Sequence, residues 1–367
     1  MSRRLPLTAV TTPLSGTGVP LSQCTTLRLG GPATRFVRAT AAADLVEAVR
    51  DLDASGDPLL LIGGGSNLVV ADEGFAGTAV QVGTLGRRLD PLGDGLVQLT
   101  VEAGEVWDDV VAEAVAQGLG GLECLSGIPG LVGATPVQNV GAYGVEISQV
   151  LDSVDLLDRR TGRVHQLPAS ALGLAYRTSV LKGTDAAVVL RARYTLTSGG
   201  LSAPIRYAEL ARVLGVGAGD RVPADAARKA VLELRRGKGM VLDPTDHDTW
   251  SAGSFFTNPL LDDSTFTGVL IRIAERLGAD VDVPSYPAGP GYRKLSAAWL
   301  IERAGFAKGY RGHRVALSTR HTLALTNRGG ASTRDLLGLA REVRDGVRAA
   351  FGVELTPEPV LVGCDLG

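Results

Sequence analysis

Three cysteines in 367 residues, Cys24, Cys124 and Cys364, are odd in number and far apart with no C-x-x-C pair, which argues against a disulfide framework and against a zinc site. They read as buried or unreactive thiols. The formal net charge is -2 with both signs mixed, so there is no basic face for nucleic acid and no acidic tail. No apolar stretch approaches membrane-spanning length, and prolines and threonines interrupt the one that follows the two arginines of MSRRLPLTAV. That start reads as the tail of a cytoplasmic enzyme with no membrane contact, and a monomer is the default. Lysine is scarce, five against thirty-two arginines, a bias of genome composition that makes each remaining lysine more interesting. No internal repeat or low-complexity tract is present, which removes the solenoid classes.

What the chain does have is glycine in unusual places. The run 120–144, GGLECLSGIPGLVGATPVQNVGAYG, is apolar, has Glu123 as its only charge, and shows neither helical nor alternating period. Seven glycines and two prolines would spoil a helix or a central strand, so irregular backbone must be buried here and its N–H groups need partners. A flat anionic ligand would serve; tight turns capping a core are the plain alternative. A second glycine cluster, GGGSN at Gly63, Gly64, Gly65, Ser66 and Asn67, falls where one strand ends, and its backbone suits a pyrophosphate. It is neither the dinucleotide fingerprint G-x-G-x-x-G nor a P-loop, and a glycine turn between strands is common. Two such cradles about sixty residues apart favour a dinucleotide lying across two subdomains.

Periodicity predicts a helix over 40–53, strands over 59–62, 68–70, 79–82 and 96–101, and a helix over 108–117 closed by Gly118. A hairpin over 150–167 and a valine-rich strand over 186–196 follow, then a polar, glycine-rich boundary over 198–221 and a helix over 223–236. The last third alternates helices at 266–277, 295–304 and 333–351 with strands across 315–326, which implies a second α/β domain.

Three further motifs could carry chemistry. AGSFFTNP puts Ser254 in an apolar wall with Asn258 four residues on; an isolated serine more often caps or fills space, and none of His165, His247, His313 and His321 is near it in sequence. With G-x-S-x-G absent, serine-hydrolase chemistry has no support, and Ser254 fits a proton donor better than a nucleophile. AYRTS presents Arg177 among hydrophobic segments, where a guanidinium needs a carboxylate or phosphate unless it is an exposed strand residue. LTPEP sets Glu358 between two prolines, as a site residue or as a solvated turn.

Together, GGGSNLVV, the 120–144 run, YRTS, AGSFFTNP and the C-terminal PEP resemble, in order and spacing, the UDP-N-acetylenolpyruvoylglucosamine reductase family, over nearly the whole chain after about residue 20. The resemblance implies an α+β fold: a two-subdomain FAD-binding module of the vanillyl-alcohol oxidase type plus a C-terminal α/β substrate-binding domain. The implied divisions are a tail over 1–20, the FAD module over 21–200 with its internal boundary near 85, a connecting segment over 201–240, a substrate domain over 241–352 and a returning segment over 353–367. FAD would be held non-covalently, because the first glycine loop ends in Ser66 and Asn67 and not in a histidine or cysteine. Its contacts would be Gly63, Gly64, Gly65, Ser66 and Asn67 together with Gly127, Ile128, Pro129, Gly130, Gly133, Ala134, Thr135, Asn139, Gly141 and Ala142.

The resemblance also implies a reaction in two halves: NADPH reduces FAD, then hydride passes to carbon 3 of the enolpyruvyl group of UDP-N-acetylglucosamine enolpyruvate while carbon 2 is protonated, giving UDP-N-acetylmuramate. Arg177 would polarise the substrate carboxylate, Ser254 would protonate carbon 2, and Glu358 would help stabilise charge. Tyr207, Lys238 and Asn258 would contact the nucleotides, although Lys238 could equally be a cation completing a helix C-terminus. Tyr207 suggests the longer, tyrosine-bearing form of the family. One departure stands out: the family has valine directly after the glutamate, whereas here Pro359 intervenes, and a missing backbone donor could displace Glu358. An oxygen-using oxidase of the same superfamily is the alternative, followed by a non-catalytic nucleotide-binding protein. No metal is implied.

Overall fold

The computed structural model describes residues 15–367; most of the expected tail, 1–14, lies outside the described residues, and the remainder, Ser15–Pro20, is an edge strand. The chain forms two compact units. Among the described residues, the first takes 15–19, Ala33–Gly64 and Phe75–Val241; the second takes Pro20–Pro32, Gly65–Gly74 and Leu242–Gly367.

In the first unit a four-stranded sheet runs in the order Ser15–Pro20, Pro32–Ala39, Phe75–Val82, Leu59–Ile62, with its last three strands parallel. Parallel strands need a crossover, and the helix Ala42–Ser55 supplies one from Pro32–Ala39 to Leu59–Ile62, on either side of Phe75–Val82. Its buried residues Leu45, Val49 and Leu52 recur at helical spacing, and it ends at Gly56 in the left-handed conformation a glycine adopts without strain. The same apolar face meets Leu157, Val188 and Leu190, so the parallel sheet shares a core with an antiparallel one. That second sheet has the order Arg163–Pro168, Leu151–Asp158, Ala187–Thr197, Leu96–Glu102, Arg87–Gly93. Against it, and against the helices Trp107–Ala116 and Ala224–Gly237, packs a large core containing Trp107 and Tyr194.

The second unit is built round the helix Thr333–Phe351, which opens with a capping box between Ser332 and Asp335 and buries Leu336, Leu339, Ala340, Val343 and Val347. Helices Asp263–Leu277 and Ala297–Arg303 join this core, capped by the side chains of Asp262 and Ser296. The hairpin Val315–Leu317 with Leu325–Asn327 and a three-stranded sheet complete it, together with a parallel pair, Leu68–Val70 with Val360–Val362.

The strands that flank GGGSN form where the sequence predicts them, Leu59–Ile62 and Leu68–Val70, but in different sheets and different units, because the second finds its partner at Val360–Val362. The segment 198–221 is not only a connection. It contains the short helix Ala208–Leu214, whose apolar residues Leu210 and Ala211 are buried in the first unit's core.

Candidate active site

The long glycine run folds as a chain of tight turns, with short 3-10 segments at Glu123–Leu125 and Val132–Ala134. Its single charge is structural: fully buried Glu123 accepts from the N–H groups of Gly121 and Ala203, which offsets the cost of enclosing a carboxylate. Gly127 donates its N–H to Asp108 at 2.6 Å, and Arg228 grips the same carboxylate. Burial alone would raise the Asp108 carboxyl, but the Arg228 guanidinium and the Gly127 N–H outweigh it and hold it below the usual carboxylate range.

A methyl group on Gly64 would lie 2.8 Å from the Cα of Gly130, so the two glycine-rich segments pass at a distance only glycine permits. Gly133 is similarly closed against Ala103, whereas Gly63 has ordinary room. In the second unit Gly65 is pressed on the Cys24 carbonyl, and its own carbonyl accepts from Thr26. The loop GGGSN is thus divided, Gly63 and Gly64 in one unit and Gly65, Ser66 and Asn67 in the other. Beside Gly127, the enclosed Nε of Arg235 has no hydrogen-bond partner, and burial pushes that guanidinium down. A close-packed glycine cradle with an unpartnered, enclosed guanidinium Nε beside it fits a dinucleotide with a diphosphate and an electron-rich ring edge.

Within the cradle the residues divide by what their side chains touch. Thr135 donates to the Val132 carbonyl and accepts from the Tyr194 hydroxyl, 2.8 Å away, and so pins the run to the sheet. Buried Asn139, at φ +45°, donates to Glu146 and to the Ala175 carbonyl and accepts from the Ser148 N–H. Gly141 and Ala142 pair with Val145 and Glu146 in a two-residue ribbon. Ile128, Pro129 and Ala134 sit on the same run.

This ribbon holds Arg177. Ala175 and Thr178 exchange backbone hydrogen bonds across a two-residue turn, which leaves Arg177 at φ +55°, an uncommon conformation for a long side chain. Arg177 Nη2 donates to the Gly141 carbonyl at 2.7 Å, Asn139 reaches the Ala175 carbonyl, and Ser179 bonds the Val137 carbonyl. The glycine run therefore orients the arginine as well as forming the cradle.

Nearby in the first unit, Tyr207 caps the helix Ala208–Leu214 and is 42% exposed, its ring edge-on to Tyr143 at 5.4 Å. Burial pushes the Tyr143 phenol up to about 12. Lys238 ends the helix Ala224–Gly237, as the plain reading expects, but its Nζ bonds Glu209 at 2.6 Å and lies 5.9 Å from the Tyr143 ring. Tyr207, Tyr143, Lys238 and Glu209 make one polar and aromatic cluster.

Ser254 and Glu358 come together in the second unit. Phe255 donates to the Leu323 carbonyl, Glu358 donates to the Phe255 carbonyl, and Phe256 is bridged antiparallel to Pro357. Ser254 thus precedes the buried Phe255 and Phe256, with the segment 356–358 paired on one side and the turn 318–323 on the other. Pro359 does not break this arrangement: the Glu358 N–H is used on one side and the Val360 N–H bonds the Asn67 carbonyl on the other, so proline falls at the changeover between pairings. The Asn67 amide also reaches the Glu358 carbonyl at 3.4 Å. Asn258 caps the helix Ala297–Arg303 through its Oδ1 at 2.9 Å from the Ala297 nitrogen. Arg177 belongs to the other unit.

Sequence spacing gave no sign of His321, whose Nε2 stands 3.3 Å from Ser254 Oγ. The two are 67 residues apart and meet only through the turn between Val315–Leu317 and Leu325–Asn327. Among the described residues no group of three or more His, Cys, Asp or Glu side chains is arranged to hold a metal, and no helix is long and apolar enough to cross a membrane.

Comparison with known proteins settles the family. A UDP-N-acetylenolpyruvoylglucosamine reductase of Saccharopolyspora erythraea is 67% identical over 351 residues, covering 95% of this chain and 96% of that one. The chain belongs to the UDP-N-acetylenolpyruvoylglucosamine reductase family. The reductase of the same name from Thermobifida fusca is 58% identical over 348 residues, covering 95% of this chain and 98% of its own length. A family model described as UDP-N-acetylenolpyruvoylglucosamine reductase, C-terminal domain, matches residues 243–362, and one described as FAD binding domain matches residues 33–168. The crystal structure of the Thermus caldophilus reductase superposes with a TM-score of 0.64 at 26% identity, over 94% of this chain and 97% of that one. The protein is an FAD-dependent oxidoreductase of this reductase family, with the α+β FAD-binding module and C-terminal domain that the resemblance implied.

Proposed function

We propose that the protein reduces the enolpyruvyl group of UDP-N-acetylglucosamine enolpyruvate to UDP-N-acetylmuramate, a step in making peptidoglycan precursors, with NADPH as electron donor. FAD, when bound, supplies hydride transfer from the nicotinamide to carbon 3 of the enol. Gly64, Gly130 and the backbone of 127–142 would hold it, with residues 21–200 as its module, 201–240 as the connection and 241–352 with 353–367 closing on substrate.

In this reading Arg177 binds the substrate carboxylate and stabilises the enolate-like charge that develops as carbon 3 is reduced. Its preset turn and its bond to the Gly141 carbonyl favour that role, because an arginine already oriented loses little freedom on binding. Ser254 gives its hydroxyl proton to carbon 2, and Glu358, one strand away, shares in charge stabilisation. Lys238 exchanges Glu209 for a diphosphate; Tyr207 and Asn258 contact the nucleotides.

The observation that supports the proposal is the backbone pairing that ties the segment of Glu358 to the one that carries Ser254, beside the buried Phe255 and Phe256. A serine hydroxyl without the G-x-S-x-G nucleophile motif suits proton donation better than acyl transfer. The test is an absorption spectrum followed by titration. The purified protein should be yellow and should bleach with NADPH, and the enol substrate should restore the colour anaerobically. Rapid recolouring by oxygen without the enol would instead favour the oxidase reading, and a colourless protein with no affinity for FAD would end both.

A further inference from the structure

We infer that His321 is a positioning residue for Ser254: its Nε2–H donates to the serine oxygen, leaving the hydroxyl hydrogen directed away from the ring and available to the substrate. The inference rests on the reading of Ser254 as proton donor. Two hydrogen-bond directions are possible at a separation of 3.3 Å. If Ser254 donated to the ring, its only hydrogen would be occupied and the residue could not protonate carbon 2 without first breaking that bond. If the ring donates, the serine lone pair is engaged and the hydrogen is left for transfer. The same donor then faces the oxygen as it becomes an alkoxide, which lowers the cost of giving up the proton. The step balances simply: the O–H bond of Ser254 breaks, the proton forms a C–H bond with the electron pair at carbon 2, and the alkoxide regains a proton from water after product forms.

The backbone that carries the ring has a built support. The His321 N–H donates to Ser318 Oγ, and its carbonyl accepts from the Ala324 N–H. Ser318 in turn donates to the buried carboxylate of Asp248, which also takes the Thr319 N–H, the Thr319 hydroxyl, Arg320 and Arg328. Phe255 is tied to the Leu323 carbonyl two residues beyond the ring. The backbone at both ends of the Ser254–His321 contact is thus held in place, which keeps the two side chains within reach of each other.

The test uses the FAD-loaded protein in stopped flow, following flavin reduction by NADPH and its reoxidation by the enol substrate separately, in His321→Ala, His321→Gln, Ser254→Ala and the double variant Ser254→Ala/His321→Ala. His321→Ala should slow reoxidation about tenfold, the worth of one well-placed hydrogen bond, while leaving flavin reduction unchanged. His321→Gln, whose amide can still donate an N–H, should recover most of that loss, and the double variant should be no slower than Ser254→Ala alone. Slow reoxidation in Ser254→Ala with His321→Ala at the parental rate would overturn the inference and leave the proton-donor reading standing. Equal loss in His321→Ala and His321→Gln would overturn orientation by donation. Parental reoxidation in Ser254→Ala would remove the reading itself, and the inference with it.

Discussion

The Glu358 N–H donates to the Phe255 carbonyl at 2.9 Å, one residue away from Ser254 along the chain. Because Phe255 and Phe256 are almost wholly buried, this bond is shielded from water and ties the segment of Glu358 to that of Ser254 through backbone and not through flexible side chains.

Replacing Ser254 by alanine should therefore change chemistry and little else. Flavin reduction by NADPH should proceed nearly as in the parent, while reoxidation by the enol substrate slows by about a hundredfold or more, the usual worth of general acid help. Rapid-mixing absorbance at the flavin band reads both; equal loss in the two halves would contradict the role given to Ser254.

Arg177→Lys tests geometry as well as charge. Lysine keeps the positive charge but lacks the planar fork that can bond the Gly141 carbonyl and a carboxylate together. The expected result is a rise in the KM for the enol substrate together with a fall in kcat of about tenfold or more. Unchanged steady-state constants would show that Arg177 does not engage the substrate.

Gly64→Ala addresses the cradle. The added carbon would fall 2.8 Å from the Gly130 Cα, backbone against backbone, so one segment must move. A shift costing roughly 1–3 kcal/mol in a packed site should weaken FAD binding by about tenfold or more. Fluorescence titration of the apoprotein with FAD measures it, and the parallel substitution Gly63→Ala, which has ordinary room, should bind as the parent does.

Asp248→Asn tests the support behind His321. The carboxylate is 4% exposed and accepts from two arginines, so its loss should cost about 3 kcal/mol of stability at pH 7. Burial alone would raise its pKa, but the Thr319 N–H, Arg320, Ser318 and Thr319 hydroxyls outweigh it, and the group titrates below the usual carboxylate range. A depressed folded pKa stabilises above the unfolded value near 4 and loses that contribution as pH falls through the folded one. The difference in Tm between the parent and the Asp248→Asn variant should accordingly be full at pH 7 and shrink below about pH 4.

Much of this was legible in the residues alone. The helix Thr333–Phe351 has a sustained apolar stripe and its own stop at Gly352, and the strand Ala187–Thr197 is valine-rich and alternates, so local pattern and packing agree. The elements that escaped notice have weak local signals: Arg87–Gly93 carries charges and a proline, and Ala208–Leu214 is only two turns long in a polar, glycine-rich stretch. Site contacts were harder for a different reason. His321 meets Ser254 and Asn139 meets Ala175 through turns whose geometry depends on distant pairing, and one sequence does not display such contacts. The glycine run reads as buried irregular backbone from composition alone, but the use of its hydrogen bonds to steer Arg177 depends on left-handed residues such as Asn139 and Arg177 that no composition rule singles out.

The parallel pair of Leu68–Val70 with Val360–Val362 has a consequence for how the protein is made. A ribosome delivers Val70 long before Val362, so the early strand waits unpaired through the synthesis of almost everything between them. The first unit, which needs nothing beyond Val241, can assemble meanwhile; the second reaches its full pairing only when its last strand emerges. The segment that carries Glu358 lies just before that strand, so its pairing with Phe255 also forms among the last events of the chain's own production.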